Sequence, residues 1–153
     1  MLFRSTILRT AAAFGATGAV TSATAQGGTA SPFSPKALRA SAGAALHLPV
    51  LAGMSLTILL AQLQMNGIHT LASCVQDEAK REGASLSPWE VDWCQPIALL
   101  VGNEGAGLPE DIVRGADARV HIPMAKGIES LNAAAAAAVL FYEGYRQREK
   151  LKQ

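Results

Sequence analysis

Five consecutive apolar residues, Ile97, Ala98, Leu99, Leu100 and Val101, run straight into Gly102-Asn103-Glu104-Gly105-Ala106-Gly107-Leu108. An unbroken apolar run without polar alternation reads as a β-strand buried on both faces. Such strands belong to parallel sheets covered by helices, and open α/β sheets hold ligands at the C-terminal ends of their strands. The glycines fit that position. A backbone without Cβ atoms passes close to a ligand and leaves its N–H and C=O groups free to read it. The plainer reading of the same glycines is a tight strand-to-helix turn. A phosphate loop fits poorly, because Glu104 stands at its centre and no Lys-Ser or Lys-Thr pair follows. A carboxylate there repels phosphate, so the segment better suits a ligand without phosphates.

The rest of the chain alternates between helix-like and strand-like stretches. Residues 6–16 carry helix formers ending at Gly15, a stop signal. Residues 18–22 are a strand candidate, and 24–31 form a Gly/Ser/Thr-rich loop. Ser34-Pro35 supplies an N-cap and a proline at the first helical position, opening a helix to about residue 45. A short apolar run at 48–52 precedes Leu56, Leu59, Leu60 and Leu63, whose helical spacing ends at Asn66-Gly67. Residues 68–73 read as a strand, and the polar stretch 77–93 as a surface excursion. A short helix at 108–115 begins near Pro109, a strand follows at 119–122, and a long helix runs over 130–150 with Ser130 as its N-cap. Its six successive alanines, Ala133 to Ala138, make a thin face that another backbone or a ligand can approach closely. Strands alternating with helices predict an α/β sandwich with a mostly parallel sheet in a single domain over residues 1–153.

Composition narrows the function. Half of the 153 residues are hydrophobic and 16% are charged, as in a globular chain with a real core. A net charge of +1 gives no global attraction to nucleic acid, so any such binding rests on local patches. Arg4, Arg9, Lys36 and Arg39 form one candidate; Arg146, Arg148, Lys150 and Lys152 form another, which also suits a helix dipole. Cys74 and Cys94 make no disulfide framework and suit a reducing cytosol, which predicts a cytoplasmic protein. His47, His69 and His121 lie far apart without ligand spacing, which predicts no metal site. The first 26 residues mimic a secretory signal, with Arg4, Arg9 and a small-residue Ala23-Thr24-Ala25 site. Thr10, Gly15, Thr17, Gly18, Thr21 and Ser22 break the apolar stretch such a signal needs, so an amphipathic helix followed by a strand reads better. No segment is apolar for the roughly 18 residues of a membrane span.

A second segment stands out: Ile122-Pro123-Met124-Ala125-Lys126-Gly127-Ile128-Glu129-Ser130-Leu131-Asn132. A strand ends at a proline, a loop follows, and Ser130 and Asn132 open the long helix. Ser and Asn are ordinary capping residues, and Met124 and Leu131 are equally ordinary core residues. Together with Gly102-Asn103-Glu104-Gly105-Ala106-Gly107-Leu108, this segment resembles the SpoU, or TrmH-like, branch of the SPOUT RNA methyltransferases. Two further blocks match: Ile7-Leu8-Arg9-Thr10-Ala11 with Phe14-Gly15-Ala16, and Pro32-Phe33-Ser34-Pro35-Lys36 with Arg39-Ala40-Ser41-Ala42-Gly43. The four blocks stand in the family's order, and the resemblance covers about residues 6–150.

The resemblance implies an α/β fold with a C-terminal trefoil knot and a homodimer with active sites near its interface. It implies transfer of a methyl group from S-adenosylmethionine to a ribose 2′-hydroxyl of tRNA or rRNA. The cofactor residues it implies are Leu100, Gly102, Asn103, Gly105, Ile122, Met124 and Leu131. Arg9, Glu104, Ser130 and Asn132 match catalytic positions, and Arg39 and Ser41 are RNA-contact candidates. In the family, a strand and an Asn-x-Gly precede the helix with the arginine. Counting back from Arg9, those positions hold Phe3 and Ser5, so the resemblance implies that the first strand is missing. A misplaced start, a fragment or decaying copy, and a strand supplied by another chain are the competing explanations. Two rival readings stand beside the enzyme: a SPOUT-fold protein that binds adenosylmethionine or RNA without turnover, and a secreted protein cleaved after Ala25.

Overall fold

The computed structural model describes residues 2–22, 39, 43, 47–75, 85–103 and 105–152. Its elements in chain order are α1 (Leu2–Ala13), β1 (Ala19–Ser22), β2 (Val50–Met54), α2 (Leu56–Met65), β3 (His69–Cys74) and β4 (Ser85–Leu86). After a 3-10 turn (Pro88–Glu90) come β5 (Ile97–Leu100), α3 (Glu110–Gly115), β6 (Ala118–His121) and α4 (Ala133–Lys150). Every pairing between these strands is parallel. β1 pairs with β2, and the larger sheet has the order β4-β6-β3-β5.

Two helices stop where glycine allows it. After α1, Gly15 takes φ +74°, Ala16 N–H bonds to Ala11 C=O at 2.9 Å and Gly15 N–H to Ala12 C=O at 3.2 Å. After α2, Gly67 takes φ +71°, with Ile68 N–H on Leu63 C=O and Gly67 N–H on Gln64 C=O, both at 3.0 Å. Both are Schellman closures, in which a left-handed residue lets the chain satisfy carbonyls the helix leaves open. The expected ends at Gly15 and Asn66-Gly67 are therefore real.

Helices cover both faces of the larger sheet. On one face Leu71 and Val120 meet Leu140 of α4 together with Val91 and Trp93, flanked by Ile97, Leu99, Ala118 and Ile122. On the other, α2 lies against β3 and α3. There Gly115 sits so close to Leu60 that a Cβ would come within 2.9 Å of its Cδ2. α1 packs on α4, and Leu8, Ala11 and Leu48 form a second core with Phe141 and Val50. Arg148 donates to the Phe14 carbonyl at 3.4 Å, tying the end of α1 to the end of α4.

Three expectations need correction. The polar stretch 77–93 is not wholly a surface excursion: Pro88, Val91 and Trp93 are buried, and Trp93 belongs to the main core. The Trp93 indole N–H bonds to the Pro88 carbonyl at 2.7 Å, and its ring occupies the place a Cβ on Gly144 would need, 3.1 Å away. A single large ring outweighs several polar neighbours in deciding which part of a segment is buried. Second, β5 is an edge strand of the larger sheet with all its residues half-buried, not a strand enclosed on both faces. Third, the N-cap of α4 is Asn132 and not Ser130, because Asn132 Oδ1 accepts from the N–H groups of Ala134 and Ala135. The loop at 24–31 lies outside the described residues, as does the helix expected from Ser34 apart from Arg39 and Gly43. No described helix is long and apolar enough to cross a membrane.

Candidate functional site

The register places both glycine-bearing loops at one end of the larger sheet. Ala72 of β3 is level with Leu100 of β5 on one side and Arg119 of β6 on the other. All three strands run the same way, so residues 101–109 and 122–132 both leave from the C-terminal rim. β5 and β6 are separated by β3 alone, about 10 Å apart at ordinary strand spacing. β5 is laid to one side of β3 and β6 to the other, which makes β3 a switch point, where such sheets form ligand crevices.

The first loop is tightly closed. Asn103 N–H bonds to Gly107 C=O at 3.2 Å and Gly107 N–H to Asn103 C=O at 3.1 Å. The two arms touch at Gly102, where a Cβ would stand 2.3 Å from the Gly107 carbonyl carbon and 2.5 Å from Leu108 N. Within the loop, Asn103 Oδ1 accepts from Gly105 N–H at 3.0 Å and Ala106 N–H at 2.6 Å. These amides are thus already bonded inside the loop, not free as the glycine pattern alone suggested. A loop that binds its own N–H groups is a poor phosphate cradle, which agrees with the chemistry expected of its sequence. Glu104 lies outside the described residues.

The second loop starts from His121, the last residue of β6. Ile122 packs on the main core, and Pro123 cannot donate to a further ladder bond. Met124 is half-buried. Ala125 to Ile128 form a turn closed by Ile128 N–H on Ala125 C=O at 3.2 Å, with Gly127 at φ +91° where a side chain would be strained. Ser130 and Leu131 are exposed just before the Asn132 cap of α4.

The structure thus brings Leu100, Gly102, Asn103, Gly105, Ile122 and Met124 to one rim of the sheet, with Ser130, Leu131 and Asn132 on the chain leaving it. Arg9 is exposed on α1 and forms no hydrogen bond or ion pair with any described residue. Arg39 is exposed, and Ser41 lies outside the described residues. No group of three or more metal-ligating side chains occurs among the described residues.

Sequence reasoning missed several polar side chains around this rim and beneath it. Ser73 donates to the Leu100 carbonyl at 2.9 Å, and Ser85 Oγ lies 3.0 Å from His121 Nδ1. At the opposite end, Asp117 accepts from Thr70 N–H at 2.8 Å, from the Thr70 hydroxyl at 2.6 Å and from Gln64 at 3.1 Å. Burial pushes the Asp117 carboxyl up, but the Thr70 and Gln64 bonds, helped by His69, outweigh it and leave the pKa below its ordinary value. Partnerships of this kind depend on strand register, which no local pattern contains.

Fold and rim together define an α/β protein with two glycine-bearing loops at the carboxyl ends of parallel strands, where open α/β sheets place ligands. Residues 4–142 match the SpoU rRNA Methylase family, and the chain belongs to that family, as its four blocks suggested. It is 38% identical over 143 residues to an uncharacterised tRNA/rRNA methyltransferase of Synechocystis, covering 94% of this chain and 48% of that protein. It is 33% identical to the 23S rRNA (guanosine(2553)-2′-O)-methyltransferase of Bacillus subtilis, covering 75% of this chain and 43% of that one. Among solved structures, the SpoU methyltransferase AviRb of Streptomyces viridochromogenes in complex with AdoMet superposes with a TM-score of 0.79 at 30% identity, covering 95% of this chain and 55% of that one. The chain spans about half the length of the relatives it matches.

Proposed function

We propose that this chain carries the catalytic domain of an S-adenosylmethionine-dependent RNA methyltransferase acting on a ribose 2′-hydroxyl of tRNA or rRNA. The supporting observation is the placement of two family-matching loops on either side of β3 at one rim of a parallel sheet. When bound, adenosylmethionine supplies a methyl group on a positively charged sulfur. The backbone around Leu100, Gly102, Asn103, Gly105, Ile122, Met124 and Leu131 holds its nucleoside and fixes the sulfur. The internally satisfied Asn103 loop suits such a phosphate-free ligand.

Arg9 grips a phosphate beside the reacting ribose with its planar fork and stabilises negative charge on the hydroxyl oxygen as its proton passes to water. A guanidinium keeps its own proton, so Arg9 is a stabiliser and not the base. Asn132 fixes the start of α4 and with it the approach of Ser130 and Leu131 to the substrate. Glu104 orients the first loop, and Arg39 and Ser41 contact the RNA. The working unit is a homodimer. Val139, Tyr142 and Tyr145 are exposed along one side of α4, and the Phe14 ring lies 5.7 Å from Tyr142 and 5.9 Å from Tyr145. A clustered apolar patch of this kind marks an interaction surface.

A second reading, adenosylmethionine binding without turnover, draws on Arg9 forming no hydrogen bond or ion pair with the described residues of either loop. Isothermal titration with adenosylmethionine, run beside tritiated-methyl transfer to bulk RNA, separates the readings. The expected result is binding together with label in alkali-resistant dinucleotides, since a methylated 2′-oxygen cannot attack the neighbouring phosphate. Binding without transfer supports the second reading, and no binding overturns both.

A further inference from the structure

At the C-terminal rim of the larger sheet, side chains bridge from one strand to the end of the next. Ser73, near the end of β3, donates its hydroxyl to the carbonyl of Leu100, the last residue of β5, at 2.9 Å. Ser85, the first residue of β4, lies 3.0 Å from Nδ1 of His121, the last residue of β6. Cys74 sits between them, its Sγ 3.5 Å from Ser85 Oγ and 3.6 Å from the Val120 carbonyl. Each bridged residue is the one at which its strand gives way to a loop.

Resting on the methyltransferase reading above, we propose that Ser73 and the Ser85–His121 pair are positioning residues of the cofactor pocket, each fixing the angle at which one loop leaves the sheet. Among the described residues β5 is an edge strand, held to the sheet by its ladder to β3 alone, so its end frays unless something ties it down. Ser73 ties it through the Leu100 carbonyl, two residues ahead of Gly102. On the far side of β3 the ladder of β6 ends before Pro123, and Ser85 holds the last ladder residue from the neighbouring strand. A ligand read by backbone atoms depends on those atoms standing within tenths of an ångström of their places, and these two tethers set both halves of the reading surface.

Hydrogen exchange on ligand-free protein, with calorimetric titration of adenosylmethionine, tests this on the wild-type chain, Ser73→Ala, Ser73→Thr and Ser85→Ala. Ser73→Ala should speed amide exchange across residues 101–108 and weaken adenosylmethionine binding about three- to tenfold, the worth of one such bond. Ser73→Thr, which keeps the hydroxyl, should restore both. Ser85→Ala should loosen residues 121–128 and leave 101–108 unchanged. Unaltered exchange and affinity in both alanine variants, against a wild type that binds, overturn the positioning role alone. A uniform rise in exchange over the whole sheet also overturns it, since that reports general destabilisation. A wild type that does not bind overturns the methyltransferase reading and this inference with it.

Discussion

The Gly102 backbone touches the other arm of its own loop, and no flexible side chain stands there to give way. A methyl group added at Gly102 would meet Gly107 and Leu108 backbone at 2.3–2.5 Å, so the loop must open to admit it. Overpacking of this kind costs about 1–3 kcal/mol. If the loop forms half of the cofactor surface, Gly102→Ala should weaken adenosylmethionine binding at least tenfold, about 1.4 kcal/mol, and lower the melting temperature by a few degrees. Unchanged affinity in a calorimetric titration would separate the loop from the cofactor. Arg9 makes the opposite prediction. It is exposed and forms no hydrogen bond or ion pair with a described residue, so Arg9→Lys should leave stability and cofactor affinity alone. Methyl transfer should fall by about two to three orders of magnitude, because lysine keeps the charge but loses the fork. Equal losses in affinity and rate would refute that division of labour. Both residues were legible in the sequence because each sits in a motif. Ser73 and Asp117 were not, because a serine in a strand and an aspartate in a turn are unremarkable until register sets them beside Leu100 and Thr70.

Elements were more legible than their partnerships. Glycine stops, a proline near the start of α3 and the leucine spacing of α2 are local signals, and the structure obeys them. The start of α4 was misplaced by two residues because Ser130 and Asn132 are both good caps, and only geometry decides which side-chain oxygen faces the N–H groups of Ala134 and Ala135. That distinction is measurable. Asn132→Ala should cost about 1 kcal/mol in urea unfolding, and Ser130→Ala close to nothing. Equal costs would contradict the assignment. A second element-level contact is pH-sensitive. Asp117 joins Gln64 of α2 and Thr70 of β3 to the chain entering β6, and its pKa lies below the ordinary 3.8. The unfolded chain therefore binds a proton there more readily than the folded one. The contribution of Asp117 to stability is complete above the unfolded pKa and is lost as pH falls through the lower folded value. Wild type should exceed Asp117→Asn in unfolding midpoint at pH 6, with the gap closing below about pH 4. A gap that stays constant with pH would show that shape, not charge, matters at this site.

At the scale of the whole molecule, the exposed apolar row on α4 is the feature an isolated chain leaves unexplained. Val139 is 44% exposed, Tyr142 53% and Tyr145 38%, at positions three residues apart that share one side of the helix. The 18 residues of α4 give it a length of about 27 Å, enough to run along a second copy of itself. Tyrosines with an apolar body and a polar tip are the residues that anchor interfaces. A two-fold pairing along this row would set each patch against its own copy, since symmetric interfaces are self-complementary. Joint substitution of Val139 and Tyr142 by glutamate would then bring carboxylates of both copies together in a desolvated contact, where like charges are costly. Both positions are exposed in the single chain, so the fold itself should tolerate the change. In sedimentation velocity, wild type should run as a dimer and the double variant as a monomer with unaltered far-UV circular dichroism. If the catalytic centre needs the pairing, the monomeric variant should also lose methyl transfer. A wild type that sediments as a monomer would assign the α4 row to some other partner, and a monomeric variant with full activity would show that each chain works alone.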